Sequence, residues 1–126
     1  MSGVAVKASP IHGRGVFAAR DFRKGETVVP WHPRELTRPE YEALPRAERV
    51  YVEFEGEKIL FLQEPERYVN HCCDPNTEVR NRADVAARAI ASGEEITSDY
   101  AKTDTPALDF ICSCGSPRCR GDLRKR

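Results

Sequence analysis

The chain has 126 residues, five of them cysteine, with 20 Lys and Arg set against 20 Asp and Glu for a net charge of zero. That length suits one domain with a modest core, and the balanced charge removes any global electrostatic case for nucleic acid. No apolar run approaches the roughly 20 residues of a membrane helix. Lys7, His12 and Arg14 stand where an export signal would be apolar, and an odd cysteine count suits a reduced compartment and a metal better than a disulfide framework.

In chain order, Val4–Ala8 alternates as a short strand that Ser9-Pro10 ends. Gly13-Arg14-Gly15 follows, where two glycines let the backbone approach another group closely or take positive φ. Val16-Phe17-Ala18 predicts a strand, Asp21–Glu26 a turn, and Thr27–Val29 a β-branched strand. Pro30 and Pro33 around Trp31 are expected to end regular structure. Thr37 caps a short helix, with Pro39 in its first turn, Glu40 completing a capping box and Pro45 breaking it. Val50–Phe54 and Lys58–Leu62 flank Glu55-Gly56-Glu57 as a hairpin. Val85–Ile90 fits strand or helix, and the Ser92-Gly93 break favours a short strand. Ile96–Tyr100 is a further short segment. Many short strands, one helix and frequent turns give a β-rich α+β domain.

Two stretches carry chemistry. Arg67–Asn76, Arg-Tyr-Val-Asn-His-Cys-Cys-Asp-Pro-Asn, packs an amide, an imidazole, two thiols and a carboxylate into ten residues. Cys112, Cys114 and Cys119 place three thiols around a Gly115/Pro117 knuckle. A closed structural zinc site takes four N or S ligands, so the fourth must come from Cys72, Cys73 or His71. Taken alone, Tyr100 reads as a core tyrosine and Asp74-Pro75-Asn76 as a loop held by its own side chains. No phosphate-binding loop and no serine nucleophile elbow are present.

Four blocks together resemble the SET-domain protein lysine methyltransferases, in that family's order. They are Gly13-Arg-Gly-Val-Phe17, the Arg67–Asn76 stretch, Gly93-Glu-Glu-Ile-Thr-Ser-Asp-Tyr100, and Cys112–Gly121, which is similar to a post-SET cysteine motif. The resemblance implies several small curled β-sheets, a C-terminal pseudoknot and a zinc-bound tail. It divides the chain into a SET domain over 1–101, with a short insert at about 33–62, and a post-SET segment over 108–126. It implies S-adenosylmethionine (AdoMet) held by Gly13, Arg14, Gly15, Asn70 and His71, with Tyr100 and Leu123 beside it. It makes Cys73 the partner of Cys112, Cys114 and Cys119 on a structural Zn2+, and Tyr100 the catalytic tyrosine.

Two departures shape the expected chemistry. Ser98 stands where the family has Tyr or Phe, which implies a roomier lysine channel and multiple methylation. Trp31, in Pro30-Trp-His-Pro-Arg34, replaces a channel tyrosine. The expected partner is a lysine-containing, basic protein, a histone tail or another DNA-binding protein, with no membrane and no direct nucleic-acid contact. The expected location is cytoplasmic for a bacterial chain and nuclear otherwise. A silent SET domain that binds AdoMet or peptide without transfer is the alternative. A zinc-stabilised nucleic-acid module would suit the basic tail but leave Asn70-His71-Cys72-Cys73 without a role.

Overall fold

The computed structural model describes residues 3–102 together with Pro117, Cys119 and Gly121. The expectations placed on Cys112, Cys114 and Leu123 fall outside these described residues. The first half of the fold comprises β1 (Val4–Ala8), β2 (Arg14–Ala18), β3 (Thr27–Pro30), β4 (Arg34–Leu36), α1 (Arg38–Ala43), α2 (Arg46–Arg49), β5 (Val52–Glu55) and β6 (Lys58–Phe61). The second half adds β7 (Asn70–His71), β8 (Thr77–Val79), β9 (Ala83–Ala86) and β10 (Glu95–Ser98), with 3-10 turns at Glu66–Tyr68 and Tyr100–Lys102.

The strands form three small sheets, ordered β1-β2-β10-β7, β3-β9-β8 and β4-β6-β5. β1 and β2 pair antiparallel from Val4–Ala18 to Ala8–Arg14, and β10 lies antiparallel on β2. On its other side β10 runs parallel to β7, pairing Thr97 with Asn70 and Ser98 with His71. Asn76 then acts as a surrogate strand. Its Nδ2 donates to Glu95 O (2.8 Å), its Oδ1 accepts from Thr97 N (2.9 Å), and Thr77 Oγ1 donates to Thr97 O (2.7 Å). Backbone groups of β10 that no neighbouring strand reaches are satisfied in this way.

The capping box is present as expected, with Thr37 Oγ1 accepting from Glu40 N (3.2 Å) and Glu40 Oε1 from Thr37 N (2.8 Å). Pro45 ends α1, but it also serves as the N-cap of a second short helix. Regular structure ends around Trp31 as expected: β3 stops at Pro30 and residues 31–33 belong to no element. Arg34–Leu36 then pairs with β6 as an edge strand, and since Pro33 precedes it no ladder hydrogen bond is lost. The strand placed at Val85–Ile90 begins and ends earlier, at Ala83–Ala86. Asn81 (φ 48°) and Arg82 (φ 56°) both take left-handed conformations, and Arg80 N donates to Ala83 O at 2.9 Å. This is the tight turn of a β8–β9 hairpin. Asn-Arg lacks the glycine that usually announces one.

Two apolar clusters hold the molecule. Val16, Phe22, Val29, Ile90 and Ile96 lead the larger; Leu36, Val52, Ile59 and Phe61 form the smaller, under Tyr41 and Phe54. Each fully buried aliphatic side chain contributes about 1.5–3 kcal/mol. Arg67 covers one side of the smaller cluster. Its guanidinium lies 4.5 Å from the Tyr51 ring centroid and 5.0 Å from that of Phe61, and its Nε donates to Leu62 O at 3.1 Å.

Candidate active site

A cavity of about 530 Å³ is lined by residues of all three sheets, among them Arg14, Asn70, Asp84, Glu53 and Ser98. At one wall, Asn70 Nδ2 has four acceptors within reach: Arg14 O and Glu95 Oε2 (both 2.9 Å), His12 O (3.1 Å) and Ser9 Oγ (3.2 Å). Ser9 Oγ in turn lies 2.8 Å from Glu95 Oε2. An amide has two hydrogens, so it shares them among groups that fix the His12–Arg14 backbone. Gly13 there takes φ +45° with open space around it. A Cβ on Gly15 would collide with Glu95 and Ser9, so its missing side chain lets the strand close on that node.

At the opposite wall, the Tyr100 hydroxyl donates to Val69 O at 2.6 Å. Burial pushes its phenol well above the ordinary range, reinforced by Asp84, Tyr51 and Glu53. The phenol is therefore a neutral dipole throughout physiological pH. Behind it, the fully buried His71 accepts from Tyr100 N at Nδ1 (3.0 Å). A neutral ring so used carries its hydrogen on Nε2, which faces Cys73 Sγ at 3.2 Å. Asp99 Oδ1 lies 3.8 Å from Nδ1, beyond hydrogen-bond range. Cys73 is buried, whereas Cys72 is half-buried and engages Asp74 N and O through its sulfur.

At the third wall the sequence reading found Trp31 but not its partner. Trp31 Nε1 donates to Asp84 Oδ2 at 2.8 Å, and Asp84 is 1% exposed. Burial pushes this carboxyl up to about 7, partly offset by the Trp31 N–H and augmented by Glu66. Glu66, also buried, accepts from His32 N and Gln63 N (both 3.0 Å) and lies 2.9 Å from His32 Nδ1. A raised carboxyl pKa means that the folded chain retains a proton which the unfolded chain has released, so Asp84 lowers stability as pH climbs from about 4 through about 7. Asp84→Asn keeps an acceptor for Trp31. Its unfolding free energy from urea titration should match wild type near pH 4 and exceed it at pH 8, by up to about 4 kcal/mol; a gap independent of pH would contradict this.

Of the site residues expected from sequence, Gly13, Arg14, Trp31, Asn70, Ser98 and Tyr100 line this one cavity. Gly15 and His71 stand behind it. Cys73 faces away toward His71, and Cys119 is half-buried. Among the described residues, no group of three or more His, Cys, Asp or Glu side chains is placed to hold a metal. None of the helices among them is long and apolar enough to cross a membrane.

A family model described as SET domain matches residues 13–101. The chain belongs to the SET-domain family. Among relatives of this SET domain is the Histone-lysine N-methyltransferase trithorax of Drosophila melanogaster, 33% identical over 93% of this chain and 4% of that protein. Another is the Histone-lysine N-methyltransferase, H3 lysine-4 specific, of Saccharomyces cerevisiae, 30% identical over 91% of this chain and 12% of that one. The SET domain thus spans a small fraction of these curated relatives. Its fold is similar to a crystal structure of the Plasmodium falciparum protein PFL0690c, with TM-score 0.67 and 22% identity, covering 79% of this chain and 94% of that one. The several small sheets are therefore the SET architecture, as the blocks within residues 13–101 led one to expect.

Proposed function

We propose that this SET domain transfers methyl groups from AdoMet to the side-chain amine of lysine in a histone or another basic protein. The observation that carries the reading is the meeting, in one cavity, of a neutral buried phenol at Tyr100 with the Asn70-anchored backbone of His12–Arg14. Its relatives' names as histone-lysine methyltransferases support it. AdoMet supplies, when bound, a methyl group already activated by its sulfonium. The cavity fits such a group: its left-handed Gly13 and the polar backbone of His12–Arg14 offer close, side-chain-free contact.

This chain's own residues then align the reaction more than they drive it. A free lysine amine, with pKa near 10.4, arrives protonated in the channel walled by Trp31, Tyr51 and Tyr100 and must be neutral when it attacks. The Tyr100 hydroxyl, fixed on Val69 O, orients the amine by its dipole. Ser98 leaves room where a tyrosine or phenylalanine would narrow the channel, so dimethyl and trimethyl products are expected.

Asn70→Ala should weaken AdoMet binding by tenfold or more in calorimetry. It should also cost about 1–3 kcal/mol of stability, through Arg14 O and Glu95 left short of a donor. Affinity equal to wild type would remove Asn70 from the cofactor wall. The function itself is tested by incubating the chain with labelled AdoMet and core histones, with products read by mass spectrometry. Label on lysine supports the reading. AdoMet binding without transfer to any protein would leave the silent binding module in its place.

For zinc, we propose Cys73 with Cys112, Cys114 and Cys119. What supports Cys73 is a buried sulfur already aligned with an N–H donor at His71 Nε2, the kind of outer-shell hydrogen bond that steadies a bound thiolate.

A further inference from the structure

We propose that Asp84 receives the amine of the incoming lysine, making it the residue that selects a cationic alkylamine for this channel. The inference rests on the lysine-methyltransferase reading and names the group that recognises the substrate side chain.

Three carboxylates line the cavity: Glu53, Glu66 and Asp84. Glu66 Oε2 accepts from the backbone N–H groups of His32 and Gln63, while its buried Oε1 lies 2.9 Å from His32 Nδ1 without hydrogen-bond geometry; both oxygens face the loop around residue 32. Asp84 differs. Among the described residues its carboxylate takes one side-chain hydrogen bond, from Trp31 Nε1 to Oδ2, and none at Oδ1, and the residue lines the same cavity as Tyr100. A buried carboxylate with one oxygen unclaimed is costly unless a ligand completes it. It sits in the middle of a strand otherwise made of alanine and valine, Ala83-Asp-Val-Ala86, where an aliphatic residue would pack without that cost.

The competing cations in the cavity are already held. Arg67 stacks on Tyr51 and pairs with Glu48 at 3.8 Å, and Arg14 lies over the Tyr68 ring at 5.8 Å. An ammonium entering between Trp31 and Tyr51 would meet aromatic faces that favour a cation. It would also meet a carboxylate oxygen able to accept its N–H. Trp31 thus has two tasks: it walls the channel, and it holds Asp84 in the orientation that presents Oδ1.

Trp31 is the chain's single tryptophan, so its indole N–H signal reports on this site alone. The experiment titrates the S-adenosylhomocysteine-loaded protein at pH 8 with n-butylamine hydrochloride and, separately, with the near-isosteric 1-butanol. Expected is a saturable shift of the indole N–H with the amine, at least tenfold tighter than with the alcohol, and loss of that preference in Asp84→Asn. S-adenosylhomocysteine affinity should stay unchanged in the variant. Equal binding of amine and alcohol by wild type would overturn the proposal without any variant, as would an Asp84→Asn protein that retains the preference. The functional reading fails separately: a wild type that binds the amine through Asp84 yet labels no protein would sink methyl transfer and leave this inference standing.

Discussion

Tyr100→Phe should lower turnover by about 10²–10³-fold, the usual effect of deleting one preorganised donor, while AdoMet affinity stays near wild type. The ring is held by packing and by its own backbone: the phenyl group would keep its tilted contact with His71 (centroids 5.2 Å apart), and Tyr100 N would still donate to His71 Nδ1. What disappears is one oxygen, hydrogen-bonded to Val69 O at 2.6 Å and directed into the cavity. Because burial holds this phenol neutral, no ionised tyrosine is lost, and the pH dependence of the residual rate should keep the wild-type shape. Single-turnover measurements with saturating AdoMet isolate the chemical step. A variant that turns over like wild type would exclude Tyr100 from the mechanism.

The second large effect is expected at Cys73→Ser. Serine keeps the volume but not the soft thiolate that zinc prefers, and structural zinc sites contribute their binding energy directly to folding. The variant should purify with little bound zinc and bind AdoMet more weakly. His71 supplies the physical link, since one imidazole touches both the Cys73 sulfur and the Tyr100 backbone. Metal analysis of purified protein decides the matter. Zinc at wild-type level would show that the wrong thiol has been chosen and shift attention to Cys72, whose sulfur meanwhile organises the Asp74 turn.

Much of this site was legible in the sequence because its parts lie in contiguous blocks. Asn70 and His71 are neighbours, Tyr100 ends a recognisable run, and Gly13 and Gly15 bracket a turn whose φ requirement is local. The helix start was equally readable, since a capping box is complete within four residues. What the sequence concealed depends on long-range pairing. Nothing near Asp84 announces that it meets Trp31, 53 positions away; in a run of alanines and valines it looks like an outward-facing strand residue. Glu95 is a similar case. It reads as part of a charged turn, yet its carboxylate anchors Ser9 and Asn70. The β8–β9 hairpin was missed for another reason: Asn81 and Arg82 adopt left-handed backbones that the propensities of Arg do not suggest.

The node of Ser9, Asn70 and Glu95 has a consequence for how the chain acquires its shape. Its hydrogen bonds close loops of 61 and 86 residues, whereas the β5–β6 hairpin and the α1 capping box close over a few residues. Loop-closure entropy must be met before such distant contacts stabilise anything. The insert around Val52 and Phe61 is therefore expected to gain protection from hydrogen exchange early in refolding. The cavity follows last, once both the first strand and β10 have arrived. A nascent chain halted before Glu95 would carry Asn70 and the Gly13 turn without the carboxylate that joins them.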